Sequence, residues 1–340
     1  MYNILVDAFG GDNSPEQVII GAVSALNEDD NFKITFVGKE DKINEILSSL
    51  SFDKNRVSVL NADEVITCEE EPTLAVRRKA NSSICVAMKA LKEDDNADAF
   101  VSAGSTGAVL VGATLRLGRI NGVSRPALCP ILPTIIDGKN VLLLDSGANA
   151  DCKAINLLQF AIMGSIFSKS LGVENPKVAL LSNGTEDEKG NILNHEVFPL
   201  LKENKEINFV GNIEARDVLT GDVDVIVADG FSGNIALKSI EGGTSMLLKL
   251  LKKDVFTGFK GKLCALLLMK KLKKMKKTMD YNNKGGAIFL GANKLVIKAH
   301  GSSKANTIKN TVLQAVNYCD KNIVENIKEK IASTNLGNEQ

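Results

Sequence analysis

The sequence predicts an α/β protein in which a mostly parallel sheet is covered by helices in an α/β/α arrangement. Three observations carry this. Short apolar runs alternate with stretches of helical period. Run after run breaks off at a cluster of Gly with Asp, Asn, Ser, Thr or His. The chain of 340 residues, 44% hydrophobic and 24% charged, has no Pro-, Gly- or Ser-rich linker between its halves and is long enough to bury one large core. Residues 1–335 are therefore read as a single large α/β unit, with a protruding basic helical segment at 252–280 and a tail at 336–340.

The first run, Tyr2 to Val6, stops at Asp7-Ala8-Phe9-Gly10-Gly11-Asp12 and is followed by an amphipathic helix from Pro15 to Leu26, where Pro suits the first turn. Ile34–Val37 ends at Gly38, and Val57–Leu60 ends at Asn61-Ala62-Asp63. This order of strand, loop, helix and strand is that of parallel pairing. An acidic turn, Glu69-Glu70-Glu71-Pro72, then leads into a helix beginning Leu74-Ala75-Val76-Arg77-Arg78-Lys79. Its basic residues read either as a solvated face or as a lip that attracts an anionic substrate or an acidic protein.

Asp98-Ala99-Phe100-Val101 runs into Ser102-Ala103-Gly104-Ser105-Thr106-Gly107-Ala108 and a small-residue helix, Val109 to Leu115. A strand that passes through Gly, Ser and Thr into a helix leaves N–H groups and hydroxyls facing whatever lies beyond it, and the helix dipole favours an anion there. The site is phosphate-sized and has no lysine of its own. After Arg116, Arg119 and Arg125 comes an extended stretch with Pro130 and Pro133. Val141–Leu144 then ends at Asp145-Ser146-Gly147-Ala148-Asn149-Ala150-Asp151, and Val178–Leu181 at Ser182-Asn183-Gly184-Thr185-Glu186. Val223–Val227 ends at Asp229-Gly230-Phe231-Ser232-Gly233-Asn234, and Leu295–Ile297 at His300-Gly301-Ser302-Ser303. Ligands of open α/β sheets bind outside the carboxyl ends of the strands. One such loop is a turn, whereas six predict a shared crevice.

Several classes are disfavoured. No run leads into G-x-G-x-x-G or a Walker lysine, and neither Ser102 nor Ser105 sits in a G-x-S-x-G elbow, so NAD, ATP and serine-hydrolase chemistry are not indicated. The six cysteines are scattered without C-x-x-C spacing and without a preceding signal peptide, which reads as free thiols, mostly buried, in a reducing cytoplasm. With only His195 and His300, a zinc site is not expected, and no metal or cofactor is called for.

The charge is balanced overall but unevenly placed. Lys252 to Lys277 holds ten lysines against Asp254 alone. At 100° per residue Leu268, Leu272, Met275 and Met279 share one face, and Lys270, Lys273, Lys274 and Lys277 the other. The apolar run is too short to span a bilayer. The pattern suits an anionic membrane surface, or else a helix packed on the core or on a second subunit. Nucleic acid is not expected, because no aromatic residue interleaves with the lysines.

Taken together, these motifs resemble the bacterial acyl-carrier-protein:phosphate acyltransferases of phospholipid synthesis, the PlsX family. The resemblance covers nearly the whole chain. It rests on Val6–Asp12, Ala75–Lys79, Ser102–Ala108, Gly147–Lys153, Asn208–Asn212, Asp229–Asn234, Gly285-Gly286-Ala287 and Lys298–Ser303. Phe9 replaces the usual Met, Ser105 stands where many members have Asn, and Ala154-Ile155-Asn156 replaces a Pro-Glu-His-like run. What the resemblance implies is a fold similar to isocitrate and isopropylmalate dehydrogenases and to phosphotransacetylase, and a homodimer. It also implies a cytoplasmic enzyme at the inner face of the membrane that moves a fatty acyl group from acyl carrier protein to inorganic phosphate. The acyl phosphate would pass to a membrane glycerol-phosphate acyltransferase. The alternative is a phosphotransacetylase-like enzyme using acyl-coenzyme A.

On this reading phosphate is assigned to Ser105, Thr106, Gly107, Gly301 and Ser302. Asn183, Lys189 and Asn234 are candidates for oxyanion contact or thioester orientation. His300 would orient phosphate or protonate the departing thiolate. Asp7, Gly10, Gly11, Asp12, Asp145 and Asn149 would organise the loops, Asp7 and Asp12 by accepting backbone N–H bonds rather than by binding metal. Leu268, Leu272, Lys270 and Lys273 would contact the membrane.

Overall fold

Two sheets, not one, form the frame of the computed structural model, which describes residues 1–279 and 285–333. The tail at 336–340 and the side chains of Lys274, Lys277 and Met279 lie outside the described residues.

The larger sheet has seven strands. In chain order they are β1 (Tyr2–Asp7), β2 (Phe32–Gly38), β3 (Val57–Asn61), β4 (Ala99–Ser102), β5 (Ala127–Cys129), β11 (Ala287–Leu290) and β12 (Leu295–Lys298), with spatial order β3-β2-β1-β4-β12-β11-β5. The smaller sheet comprises β6 (Ile131–Pro133), β7 (Asn140–Leu144), β8 (Lys177–Ser182), β9 (Asn208–Glu214) and β10 (Val225–Val227), ordered β6-β7-β10-β8-β9. Pairing is parallel except where β11 meets β12 and β5, and where β6 meets β7. The central strands β1, β4 and β12 are buried on both faces, which explains their unbroken apolar runs.

The two sheets join at the extended stretch. β5 closes one sheet, Pro130 lacks the N–H to continue a ladder, and β6 opens the other. One hydrophobic cluster nevertheless continues through both, from Ile4 and Val101 to Leu144 and Val225. Helix α6 (Ala154–Ser170) belongs to that cluster through Phe160, Met163 and Phe167. It is apolar nearly all round because it is covered nearly all round.

Helix α1 (Glu16–Leu26) packs on α11 (Ala305–Asp320); α2 (Glu40–Leu47) and α4 (Ser83–Glu93) lie on the larger sheet, α7 (Ile192–Glu203) on the smaller, and α12 (Ile323–Ser333) on α6. The basic-lip helix is α3 (Pro72–Arg78), with Pro at its start and the Glu71 carboxylate accepting from the Thr73 and Leu74 N–H groups. Next to α3 lies α5 (Thr106–Gly112), which a π turn extends to Leu117. Helix α8 (Gly230–Leu250) starts at the strand ends and runs out of the core. It is followed by α9 (Gly258–Leu267) and α10 (Met269–Met279), with Leu268 closing α9 and so breaking the single helix expected there. From Glu241 to Met275 no residue whose exposure is described is buried. Phe259 is 86% exposed and Leu267 77%.

Candidate active site

Asp7, at the end of β1, is fully desolvated and organises the neighbouring loop. It accepts from the Ser102 hydroxyl at 2.7 Å and the Phe9 N–H at 3.2 Å, and the Gly104 N–H donates to the same Ser102 hydroxyl at 3.0 Å. Burial pushes the Asp7 carboxyl up, against these donors. Gly10 fits because a Cβ there would lie 2.5 Å from the Asp7 carboxylate and 2.6 Å from the Gly104 nitrogen. Gly11 takes φ +93°, a conformation that suits glycine. The exposed Asp12 closes the turn by donating its N–H to the Gly301 carbonyl at 2.8 Å. Loops after β1, β4 and β12 are thereby locked into one surface.

On the smaller sheet Asp145 plays the corresponding part. Its carboxylate has no exposure and accepts five hydrogen bonds, from the N–H groups of Leu128, Gly147, Ala148 and Asn149 and from the Asn149 amide. The same amide reaches the Pro126 carbonyl at 2.8 Å, so this loop is tied to β5 across the seam. Helix α8 is capped by Asp229, which accepts from Ser232 N–H at 2.8 Å. Its first turn is pressed so closely on β7 that a Cβ on Gly233 would lie 1.9 Å from the Asp145 carbonyl oxygen.

Between these surfaces lies a cavity of about 360 Å³. Thr106 lines it from α5, Ser146 and Gly147 from the β7 loop, and Asn234, Leu237, Lys238 and Glu241 from α8. Lys298, Ala299, His300 and Gly301 contribute from the end of β12, with Leu128, Pro130, Ile131 and Gly285–Ala287 completing the wall. Asn234 approaches Gly147, whose Cβ position is 3.5 Å from the Asn234 amide. The Ser302 N–H donates to Nδ1 of His300 at 3.3 Å and its hydroxyl lies 2.9 Å from the same atom. Nδ1 is thus an acceptor, and the neutral ring carries its proton on Nε2. Burial, and then the Lys238 ammonium, hold His300 below its ordinary value of 6.5, so the neutral ring is favoured at neutral pH.

Thr106, Asn234, His300 and Gly301 are brought together as the strand-end pattern leads one to expect. Ser105 is buried beside them, but its hydroxyl caps α5, accepting from the Ala108 N–H. Gly107 does not face the cavity, since a Cβ there would strike Pro72 of α3 at 2.5 Å. Asn183 and Lys189 are not brought to it either. Asn183 lines a separate groove of about 830 Å³ on the other flank of α8, with Asn191, Asn194, Leu219, Ile235 and Ile240. Lys189 is exposed in the acidic loop beyond. Leu268, Lys270 and Lys273 are exposed and Leu272 is half-exposed, all on the helical extension away from the cavity.

The strand-end reading missed three charged wall residues. Lys238 and Glu241, one turn apart on α8, form an ion pair at 2.7 Å. Lys298 ends the buried strand β12, and a lysine closing an otherwise apolar central strand is the signal that marks it. Of the thiols, Cys68 and Cys264 are exposed, against the expectation of burial. Burial pushes the Cys152 thiol up to about 11, which leaves little thiolate. Among the described residues, no group of three or more His, Cys, Asp and Glu is placed to hold a metal.

A profile of the family described as "fatty acid synthesis protein" matches residues 2–326. A phosphate acyltransferase of Clostridium novyi (strain NT) is 48% identical over 331 residues, covering 96% of this chain and 98% of that one. One of Clostridium perfringens (strain SM101 / Type A) is 45% identical over 340 residues, covering 99% of each. In fold, the chain is similar to a phosphotransacetylase from Streptococcus pyogenes, with a TM-score of 0.62, 18% identity and 94% of each chain covered. EutD phosphotransacetylase from Staphylococcus aureus gives 0.59 at 19% identity, with 94% of each covered. These two likenesses show the fold. The match along nearly the whole length places the chain in the fatty acid synthesis protein family, the PlsX family whose motifs line its strand-end loops.

Proposed function

We propose that this chain transfers a fatty acyl group from the thioester of an acyl carrier protein to inorganic phosphate, giving an acyl phosphate and a free thiol. One observation carries the reading. In a chain 48% identical to a phosphate acyltransferase, the cavity is walled by the polar groups of Thr106, Ser146, Asn234, His300 and Gly301, with no cysteine among its lining residues to serve as an acylated nucleophile.

Direct attack by phosphate needs no such nucleophile. A phosphate oxygen bonds to the thioester carbonyl carbon, the tetrahedral oxyanion collapses, and the C–S bond breaks. The proton carried by hydrogen phosphate ends on the thiolate, so charge and atoms balance. A thiolate of pKa about 8.5 leaves without strong acid assistance. The protein's task is to hold phosphate near the carbonyl and to donate hydrogen bonds where the oxyanion forms. Asn234 offers an amide for the oxyanion. His300, neutral with its proton on Nε2, offers a donor to phosphate or to the departing sulfur. Thr106 and the Gly301 segment form the phosphate side.

An acidic carrier protein as donor suits the exposed Arg77 and Arg78 of α3, the helix that packs on Gly107 at the cavity edge. Such carriers are acidic, and a basic rim steers them. The exposed apolar residues of the extension support both a homodimer and docking on an anionic membrane through the lysine-rich α10. No helix among the described residues is long and apolar enough to cross a membrane. A peripheral enzyme at the inner face would hand its acyl phosphate to a membrane glycerol-phosphate acyltransferase. The test is release of thiol from acylated carrier protein with and without phosphate, repeated with acyl-coenzyme A. Release that needs phosphate and prefers the carrier supports the reading. Equal or better use of acyl-coenzyme A would make the chain a phosphotransacetylase-like enzyme.

A further inference from the structure

Lys298 is a cation buried in the cavity wall. It closes β12 in register with Ser102 of β4, and only 7% of it is exposed. Its Nζ donates to the Ala103 carbonyl at 3.3 Å and to the Ala299 carbonyl. One acceptor belongs to the loop that leads into Ser105 and Thr106, the other to the segment that carries His300 and Gly301. Both are neutral, so the ammonium has surrendered its water without gaining a bonded counter-ion, an arrangement that is costly unless an anion completes it. An ammonium has three N–H groups, and two are engaged. The charged and titratable groups that face it are Asp7 from β1, Asp12 from the first loop, Cys68 ahead of α3 and Lys238 from α8, with Glu241 and His300 on the same cavity wall.

We infer that Lys298 is a phosphate ligand, its third N–H donated to the phosphate that enters the cavity. The inference rests on reading the chain as a phosphate acyltransferase. It supplies the positive charge that the neutral loop after β4 lacks, and the charge-assisted bond fixes the anion between that loop and Gly301. Burial brings the Lys298 amine down to about 8. In the free protein the ammonium therefore loses its proton through the range in which phosphate becomes mostly dianionic, and bound phosphate restores it.

The experiment is calorimetric titration of the full-length protein with inorganic phosphate from pH 7 to 9, beside turnover of acylated carrier protein. In the wild type, phosphate affinity, expressed per dianion so that phosphate's own ionisation is taken out, falls about tenfold over this range by proton linkage. Lys298→Arg keeps the charge and loses that pH limb. Lys298→Met binds phosphate about 10- to 100-fold more weakly at pH 7, with no limb, and its defect falls on KM for phosphate. Binding of phosphate by Lys298→Met within twofold of wild type, or a limb unchanged in the Met and Arg variants, would overturn the inference even where the enzyme turns over. Should the Met variant fail to fold, the limb in wild type and its absence in the Arg variant decide the matter. A wild type that binds phosphate with this limb yet releases no thiol defeats the acyltransferase reading and leaves the ligand assignment intact.

Discussion

Replacing Lys298 with Met should stabilise the fold at neutral pH while weakening phosphate binding. Burial lowers the Lys298 amine from its ordinary 10.5 to about 8. At ~1.4 kcal/mol per tenfold change in acidity, holding the charge in the folded state costs on the order of 3 kcal/mol. The sign follows from proton counting. Below about 8 both states carry the proton and the cost is present in full; between about 8 and 10.5 only the unfolded chain carries it, so stability rises with pH. Met fills much of the space of the lysine stem but abandons the bonds to Ala103 and Ala299, at about 1 kcal/mol each. The Met variant should therefore be more stable than wild type by about 1 kcal/mol at pH 7 and less stable by about 2 kcal/mol near pH 10.5. Denaturant midpoints of both proteins across this range measure the crossing. A Met variant that is less stable at pH 7, by an amount that does not change up to pH 10.5, would refute the reasoning.

Gly233→Ala places a methyl group 1.9 Å from the Asp145 carbonyl, whose residue is held by five hydrogen bonds. The start of α8 must shift, with a loss of about 3 kcal/mol in unfolding and a fall in turnover of more than tenfold as Asn234 moves; wild-type values for both would contradict the close packing. Asn234→Ala should lower kcat by about 100-fold through loss of an oxyanion donor, whereas Lys189→Ala, outside the cavity, should change it less than about twofold. Steady-state rates that show the reverse order would place the chemistry in the other groove. Leu268→Glu with Leu272→Glu should weaken co-sedimentation with anionic vesicles by about a hundredfold and leave turnover in solution unchanged. Unchanged vesicle binding with a shift from dimer to monomer would assign this face to the subunit interface.

Most strands were legible because each is short, apolar and ended by Gly or a small polar residue, as in Tyr2–Asp7 and Asn140–Leu144. β9, Asn-Phe-Val-Gly-Asn-Ile-Glu, is a mostly half-exposed edge strand, and its polar residues conceal it. The division into two sheets is hidden because β5 and β6 form one extended run parted only by Pro130, and the partner of β5, β11, lies far away in sequence. The site was legible to the extent that loops at strand ends share one rim. Which loops face the same cavity depends on α8, which separates Asn234 and His300 from Asn183. Strand spacing carries no information about that wall. Lys298 was given no role, although it opens the Lys298–Ser303 motif, because it closes the strand and the polar cluster that marks the loop starts only at His300.

The central claim is that phosphate itself attacks the thioester. Acylated carrier protein incubated with this chain and phosphate labelled in every oxygen with ¹⁸O should yield free thiol and acyl phosphate in equal amounts. The label should remain complete in the acyl phosphate, the bridging oxygen included. Thiol released without phosphate, or free fatty acid with no acyl phosphate detectable by mass spectrometry, would contradict the account.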